Sequence, residues 1–245
     1  MQISFVIPAH DEENNIGPCI EAIQAEITRT HTDAQIIVVN NASEDRTHEV
    51  AASYPGVTVI DEPRKGLTRA RQSGYEASDG YIIANIDADV LVPVGWLDIV
   101  VEHFQDPALV ALSGPFIYHD LPIFSRALTR VFYSVGLLFS RIGHRLYGRG
   151  AMLQGGNFVL RREALAKIGG FDTRIAFFGE DTDIAHRMAK VGRVVWTFDL
   201  YVYASGRRLK HEGVLRTGVR YAINYLSVSI AGEPVTKKYT DIRPQ

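Results

Sequence analysis

Cysteine is nearly missing: Cys19 is the single one in 245 residues, so no internal disulfide can form. There is no Cys/His cluster to suggest structural zinc. No run of roughly 18 apolar residues occurs, which argues against a membrane-crossing helix. The phosphate-binding signatures GxxxxGK[ST] and GxGxxG are both absent, and P-loop and dinucleotide-binding readings lose their support with them. A GxSxG elbow is lacking too, which counts against an α/β-hydrolase. Excess charge is the last absence. With a formal net charge of −2, no global field gathers nucleic acid, and no nucleic-acid partner is expected. The opening "MQISFVIPAHDEENN" has no basic stretch ahead of its short apolar run, so no secretory leader is expected. The expected location is the cytoplasm.

What is present is a regular alternation. Hydrophobic residues make up 46% of the chain, enough for the core of one large domain or two small ones. "ISFVIPAH" reads as a buried strand, and Ile16, Ile20, Ile23 and Ile27 then recur at helical spacing. "QIIVVNNASED" is a second strand, after which Ser43 can cap a helix starting near Glu44. "GVTVIDE" is a third strand, "GLTRARQSGYEASDG" a helix stopping at Gly80, and "YIIANID" a fourth strand. Strands that are apolar throughout, separated by helices, predict a parallel sheet covered on both faces. Ligands in such sheets bind at the carboxyl ends of the strands. Pro8–Glu12, Asn40–Asp45 and Asp87–Asp89 all stand at such ends and should meet in one crevice.

Four groups carry chemistry, and each also has a plainer reading. Asp87 and Asp89 suit a divalent cation bridging a diphosphate, because hard cations bind through one or two carboxylates plus phosphates. An Asp-rich turn with no ligand is the alternative. In "FGEDTDIAHRM", Glu180 and Asp181 open a helix. A carboxylate there can take the proton of an attacking hydroxyl, or merely complement the helix dipole, the role that suits Asp183. Arg207, Arg208, Lys210 and His211 can clamp phosphate oxygens or form a solvated basic turn, and His211 is also a candidate metal ligand. Residues 121–150 hold five arginines and no acid. That run can lie on an anionic membrane surface or meet a lipid-linked substrate, or it can be a pair of ordinary helices with arginines outward.

Taken in order, these segments resemble glycosyltransferase family 2, with the GT-A fold. The resemblance spans about residues 3–213 and rests on "SFVIPAHDEENNI", "VVNNASEDRT", "KGLTRARQSGYEASDGYIIANIDAD" and "QGGNFVLRREALAKIGGFDTRIAFFGEDTDIAHRMAKVG". It implies an α/β GT-A fold with a mostly parallel central sheet and helices on both faces. A Rossmann-like nucleotide-binding half over about 1–115 and an acceptor-binding half over about 116–232 would form one domain, followed by a tail at 233–245. It also implies a nucleotide-diphosphate sugar donor, an inverting single displacement and a divalent cation, Mg²⁺ or Mn²⁺. Residue by residue, Pro8, His10, Glu12 and Asn41 are expected around the nucleobase, with Lys65 and Arg71 along the nucleotide. Asp87 and Asp89 match the acidic motif, Asp89 being the better metal ligand. Asp181 matches the general base, with Glu180 and Asn157 on the acceptor side. Arg207, Arg208 and His211 would close over the diphosphate.

Two departures bear on this. Asn40 and Asn41 stand where the family often has an Asp, although an Asn supplies both a donor and an acceptor. "LKHEGVLRTGVRY" lacks the Gln-x-x-Arg-Trp motif of processive members, so one sugar per encounter is expected. The acceptor would be a hydroxyl, on a glycan or a lipid-linked molecule, with peripheral contact at the inner face of a membrane through 121–150. Two other functions share these features: a nucleotidyltransferase or nucleotide-sugar hydrolase, and a non-catalytic nucleotide-sugar-binding protein. The first would consume nucleoside triphosphate or turn over without acceptor. The pair Asp89 and Asp181 argues against the second.

Overall fold

The apolar strands are apolar throughout because each feeds two cores. In β1 (Ile3–Ala9), Ile3, Phe5 and Ile7 enter one apolar cluster and Val6 enters another. Side chains that alternate across a strand can both be apolar only when both sheet faces are covered. After α1 (Ile16–Thr30), the same division recurs in β2 (Ala34–Asn40), with Ile36 and Val38 on one side and Ile37 and Val39 on the other. A computed structural model gives this architecture and describes residues 2–147, 151–175, 177–231 and 235–236. The expected tail at 233–245 lies outside the described residues except for 235–236, as does the end of the arginine-rich run at 148–150.

The chain continues through α2 (Thr47–Ala52), β3 (Val57–Asp61), α3 (Leu67–Ala77), β4 (Ile82–Ile86), β5 (Val90–Leu91), α4 (Trp96–His103), β6 (Leu109–Ser113) and β7 (Phe116–Tyr118). Then come α5 (Ile123–Tyr147), β8 (Asn157–Arg161), α6 (Arg162–Lys167), α7 (Glu180–Met188), β9 (Arg193–Trp196), β10 (Val202–Ala204), α8 (Arg207–Glu212) and α9 (Val214–Ala231). Seven strands form the central sheet in the order β3-β2-β1-β4-β8-β6-β9. All neighbours in it are parallel except β8, which runs antiparallel between β4 and β6. A second sheet of β5, β10 and β7 sits beside it. Because β5 joins that second sheet, the chain turns sharply between β4 and β5, and Asp87–Asp89 occupy the turn.

Helix α1 buries Ile16, Ile20 and Ile23, as their spacing predicts. It also buries Glu26, whose carboxylate accepts the Gly95 and Leu97 backbone N–H groups at 3.1 Å each and so caps the start of α4. Four local expectations are corrected. Helix α2 begins at Thr47, and Ser43 does not cap it: the Ser43 hydroxyl accepts the Asp11 N–H, tying the β1 and β2 loops together. Helix α3 ends at Ala77, and Gly80 is not its cap; the Gly80 N–H instead donates to Ser4 Oγ at 2.8 Å. The basic segment after β10 is a short helix, α8, rather than a turn. Residues 123–147 form one long helix, not two, and among the described residues no helix is long and apolar enough to cross a membrane.

Candidate active site

At the carboxyl ends of β1, β2 and β4 lies a cavity of about 670 Å³. It collects Pro8 from the end of β1, His10 and Glu12 after it, Asn41 after β2, Lys65 before α3, and Asp87 and Asp89 after β4. Glu180 and Asp181 enter it from the first turn of α7, and Arg207 and Arg208 from α8. Segments more than a hundred residues apart thus share one hollow.

Its acidic floor is organised by Arg71. The guanidinium is 0% exposed, bonds Asp87 Oδ1 at 3.1 Å, contacts Glu180 and lies 4.9 Å over the Phe158 ring. Arg71 was expected along the nucleotide; the structure instead buries it beneath the carboxylates, because Thr68, Arg71 and Gly74 form the inward face of α3. That helical phase was visible in the sequence. Asp181 Oδ1 accepts the Thr182 N–H at 2.7 Å and the Thr182 hydroxyl at 3.3 Å. Burial raises the Asp181 carboxyl above the usual range, against the pull of backbone N–H groups and Arg71.

Glu180 shows the same effect more strongly. Burial pushes its carboxyl up to about 7, with Arg71 opposing and Asp181 and Asp87 adding to the rise. The folded protein therefore holds a proton that the unfolded chain has released between pH about 4.5 and about 7. Stability should therefore fall as pH rises through that window and level off above it. Glu180→Gln should flatten this slope in urea melts taken at pH 5 and pH 8. An unchanged slope would mean that Glu180 does not carry the proton.

The two glycines before β8 make room for this floor. A Cβ on Gly156, whose φ is +82°, would collide with the Asp87 carboxylate, and one on Gly155 would press to 2.9 Å from Glu180 Oε1. Backbone is all that fits behind these acids. Asn157, expected on the acceptor side, does not reach the cavity. Its amide donates to the Gly114 and Leu200 carbonyls at 3.0 and 2.6 Å and accepts Trp96 Nε1 at 3.2 Å, a fully buried bracket between the two sheets.

At the opposite end Arg207 bonds Asp89 Oδ2 at 3.0 Å and also contacts Glu12, which accepts Asn15 Nδ2 at 2.6 Å. Burial pushes the Asp89 carboxyl up to about 6, with Arg207 opposing and Glu12 and Asp87 adding to the rise. Asn41 is spent on the loop between β3 and α3: its amide donates to the Glu62 and Arg64 carbonyls at 2.9 Å and accepts the Gly66 N–H at 2.8 Å. It shapes the segment that carries Lys65 to the cavity edge. Arg208 pairs with Glu212 at 3.2 Å and lies 5.4 Å over the Phe177 ring. His211 is exposed on α8 and does not line the cavity, since it lies on the outer face of that helix. Among the described residues no group of three or more His, Cys, Asp or Glu side chains could hold a metal alone. The hard oxygens of Asp89 and Asp87 still fit a divalent cation that takes its other ligands from phosphates.

The tyrosine wall of the cavity near Asp181 was missed in the sequence. Tyr118, Tyr133 and Tyr221 line it, and burial pushes the Tyr133 hydroxyl up to about 12. They come from β7, α5 and α9, with no local pattern linking them.

Residues 4–169 match the model of glycosyl transferase family 2, and residues 143–211 match one described as the N-terminal domain of galactosyltransferase. This chain belongs to glycosyl transferase family 2. Its family 2 match ends before α7, so Asp181 and Arg207 fall only within the second match. Among curated relatives, the family 2 chain is 29% identical over 203 residues to the probable glycosyltransferase YdaM of Bacillus subtilis, covering 78% of this chain and 47% of that protein. It is 32% identical over 101 residues to glycosyltransferase AglE of Haloferax volcanii, covering 39% and 33%. The chain thus spans a third to a half of the length of these relatives. Among solved structures it resembles mannosyltransferase PcManGT from Pyrobaculum calidifontis in complex with GDP-Man and Mn²⁺, with a TM-score of 0.71 at 20% identity, covering 94% of this chain and 64% of that one. It also resembles glucosyl-3-phosphoglycerate synthase from Mycobacterium tuberculosis in complex with Mn²⁺, UDP-Glc and phosphoglyceric acid, with a TM-score of 0.62 at 20% identity, covering 95% and 80%. At that identity the likeness establishes the GT-A fold of the family 2 chain.

Proposed function

We propose that this domain moves one sugar per encounter from a nucleotide-diphosphate sugar to an acceptor hydroxyl, inverting the anomeric centre, with Asp181 as general base. One observation carries the reading: a single cavity runs from the Asp87–Asp89 turn to Asp181. Pro8, His10 and Glu12 form the nucleobase end, with Lys65 beside the nucleotide. Arg207 trades a carboxylate partner for phosphate oxygens, which its planar fork suits, and Arg208 stands next to it. Asp89, with Asp87 beside it, would hold the divalent cation, which when bound supplies charge stabilisation to the departing diphosphate.

Asp181 takes the hydroxyl proton as the acceptor oxygen bonds to the anomeric carbon. The bond from that carbon to the diphosphate oxygen breaks, and the nucleoside diphosphate leaves with the electron pair. Opposite faces of entry and departure invert the centre. A buried carboxylate with a raised proton affinity is the stronger base for this step.

Calorimetric titration with GDP-Man and UDP-Glc, the donors named with the solved relatives, tests the donor end. One of them should bind with Mn²⁺ or Mg²⁺ present, lose binding on chelation, and bind about tenfold or more weakly to Asp89→Asn, the cost of one charge-assisted contact. Binding indifferent to both metal and Asp89 would remove the cation from this reading.

A further inference from the structure

Helices α5 and α9 contain no acidic residue, yet they hold Arg126, Arg130, Arg141, Arg145, Arg216 and Arg220 in a chain whose formal net charge is −2. Positive charge is therefore gathered on one pair of touching helices. The same helices leave large apolar side chains in solvent: Phe124 is 79% exposed, Leu138 57% and Leu215 63%. At about 100° per residue, Phe124, Val131, Leu138 and Ile142 share one stripe of α5, with Arg130, Arg141 and Arg145 along its edge. Leu215, Val219, Ile223 and Leu226 share one stripe of α9.

This face continues into the cavity. Val135 of α5 and Leu226 of α9 are exposed and also line the cavity, beside Tyr133 and Tyr221. An apolar stripe edged by arginines, on a helix that cannot cross a membrane, is the pattern of a helix lying in the bilayer interface. A second copy of the chain would bring the two arginine edges together, whereas an anionic lipid surface complements them.

We propose that the α5–α9 face seats this domain on an anionic lipid bilayer, so that the Asp181 end of the cavity opens at the membrane and receives a hydroxyl carried by a membrane lipid. The seating stands on the face itself; the lipid-borne acceptor rests on the transferase reading. Co-sedimentation of the full chain with vesicles of phosphatidylcholine alone, or with one-quarter phosphatidylglycerol, tests it. The chain should bind the anionic vesicles only. Both the Phe124→Asp/Leu138→Asp/Leu215→Asp variant and the Arg130→Gln/Arg141→Gln/Arg145→Gln variant should lose that binding, the second by about a hundredfold at roughly one tenfold step or less per arginine. None of these residues lines the cavity, so GDP-Man or UDP-Glc binding in solution should be unchanged and reports that each variant is folded. Absence of vesicle binding overturns the proposal. So does binding that survives the aspartate substitutions, or a dimer in sedimentation velocity that those substitutions dissociate. Vesicle binding without donor binding would instead sink the transferase reading and leave the membrane face standing.

Discussion

If Asp181 is the general base, Asp181→Asn should transfer sugar about 10²–10⁴-fold more slowly than the native chain while binding donor equally well. The substitution is a clean one for a physical reason. Asp181 Oδ1 already accepts the Thr182 N–H and hydroxyl, and an Asn carbonyl oxygen can take both bonds. The position next to it becomes an amide nitrogen, which cannot accept a proton. Both Thr182 bonds are kept and basicity is lost, while the Gly155 N–H that also faces this carboxylate loses its acceptor. Single-turnover rates with a fixed donor, alongside donor affinity by calorimetry, separate the two. Equal loss of affinity and rate would mean that Asp181 supports the site rather than the proton transfer, and an unchanged rate would assign the base elsewhere. A transferase loses turnover only with acceptor present; a nucleotide-sugar hydrolase would turn over without one.

Arg71→Met should destabilise the fold by about 3–5 kcal/mol, the usual cost of removing one partner from a buried ion pair. Methionine fills much of the space over Phe158, so the loss comes mainly from charge. Glu180 and Asp181 lose the buried cation that opposes their raised proton affinity, and protonation is their remaining relief. The deficit should therefore be smaller at pH 5 than at pH 8 in urea melts. Adding Glu180→Gln should recover part of it, since the two residues are in contact and their effects are coupled. A deficit that ignores pH would point to lost packing instead.

The readable parts of this site were those set by strand ends. β1, β2 and β4 are buried on both faces, so their apolar runs stand out, and the polar residues that stop them mark the carboxyl edge. Short strands were harder: β5 has two residues and β10 three, too few for any period to show. Asn157 was placed on the acceptor side by resemblance alone, and its own residue type carries no sign of burial. Only the packing of both sheets shows it satisfying the carbonyls of Gly114 and Leu200. His211 was misplaced because the segment reads as a turn, whereas the helix turns it outward.

The amino-acid order alone determined the alternating fold, the carboxyl-edge location of Asp87 and Asp89, and the acid-free, arginine-rich character of 121–150, since each depends on local periodicity or composition. Which charges meet was decided by the tertiary structure. Arg71 is placed under Glu180 and Asp87, and Arg207 across Glu12 and Asp89, pairs whose members stand up to 195 residues apart in the chain. Coulomb energy depends on distance and burial, and neither can be read from position along a chain.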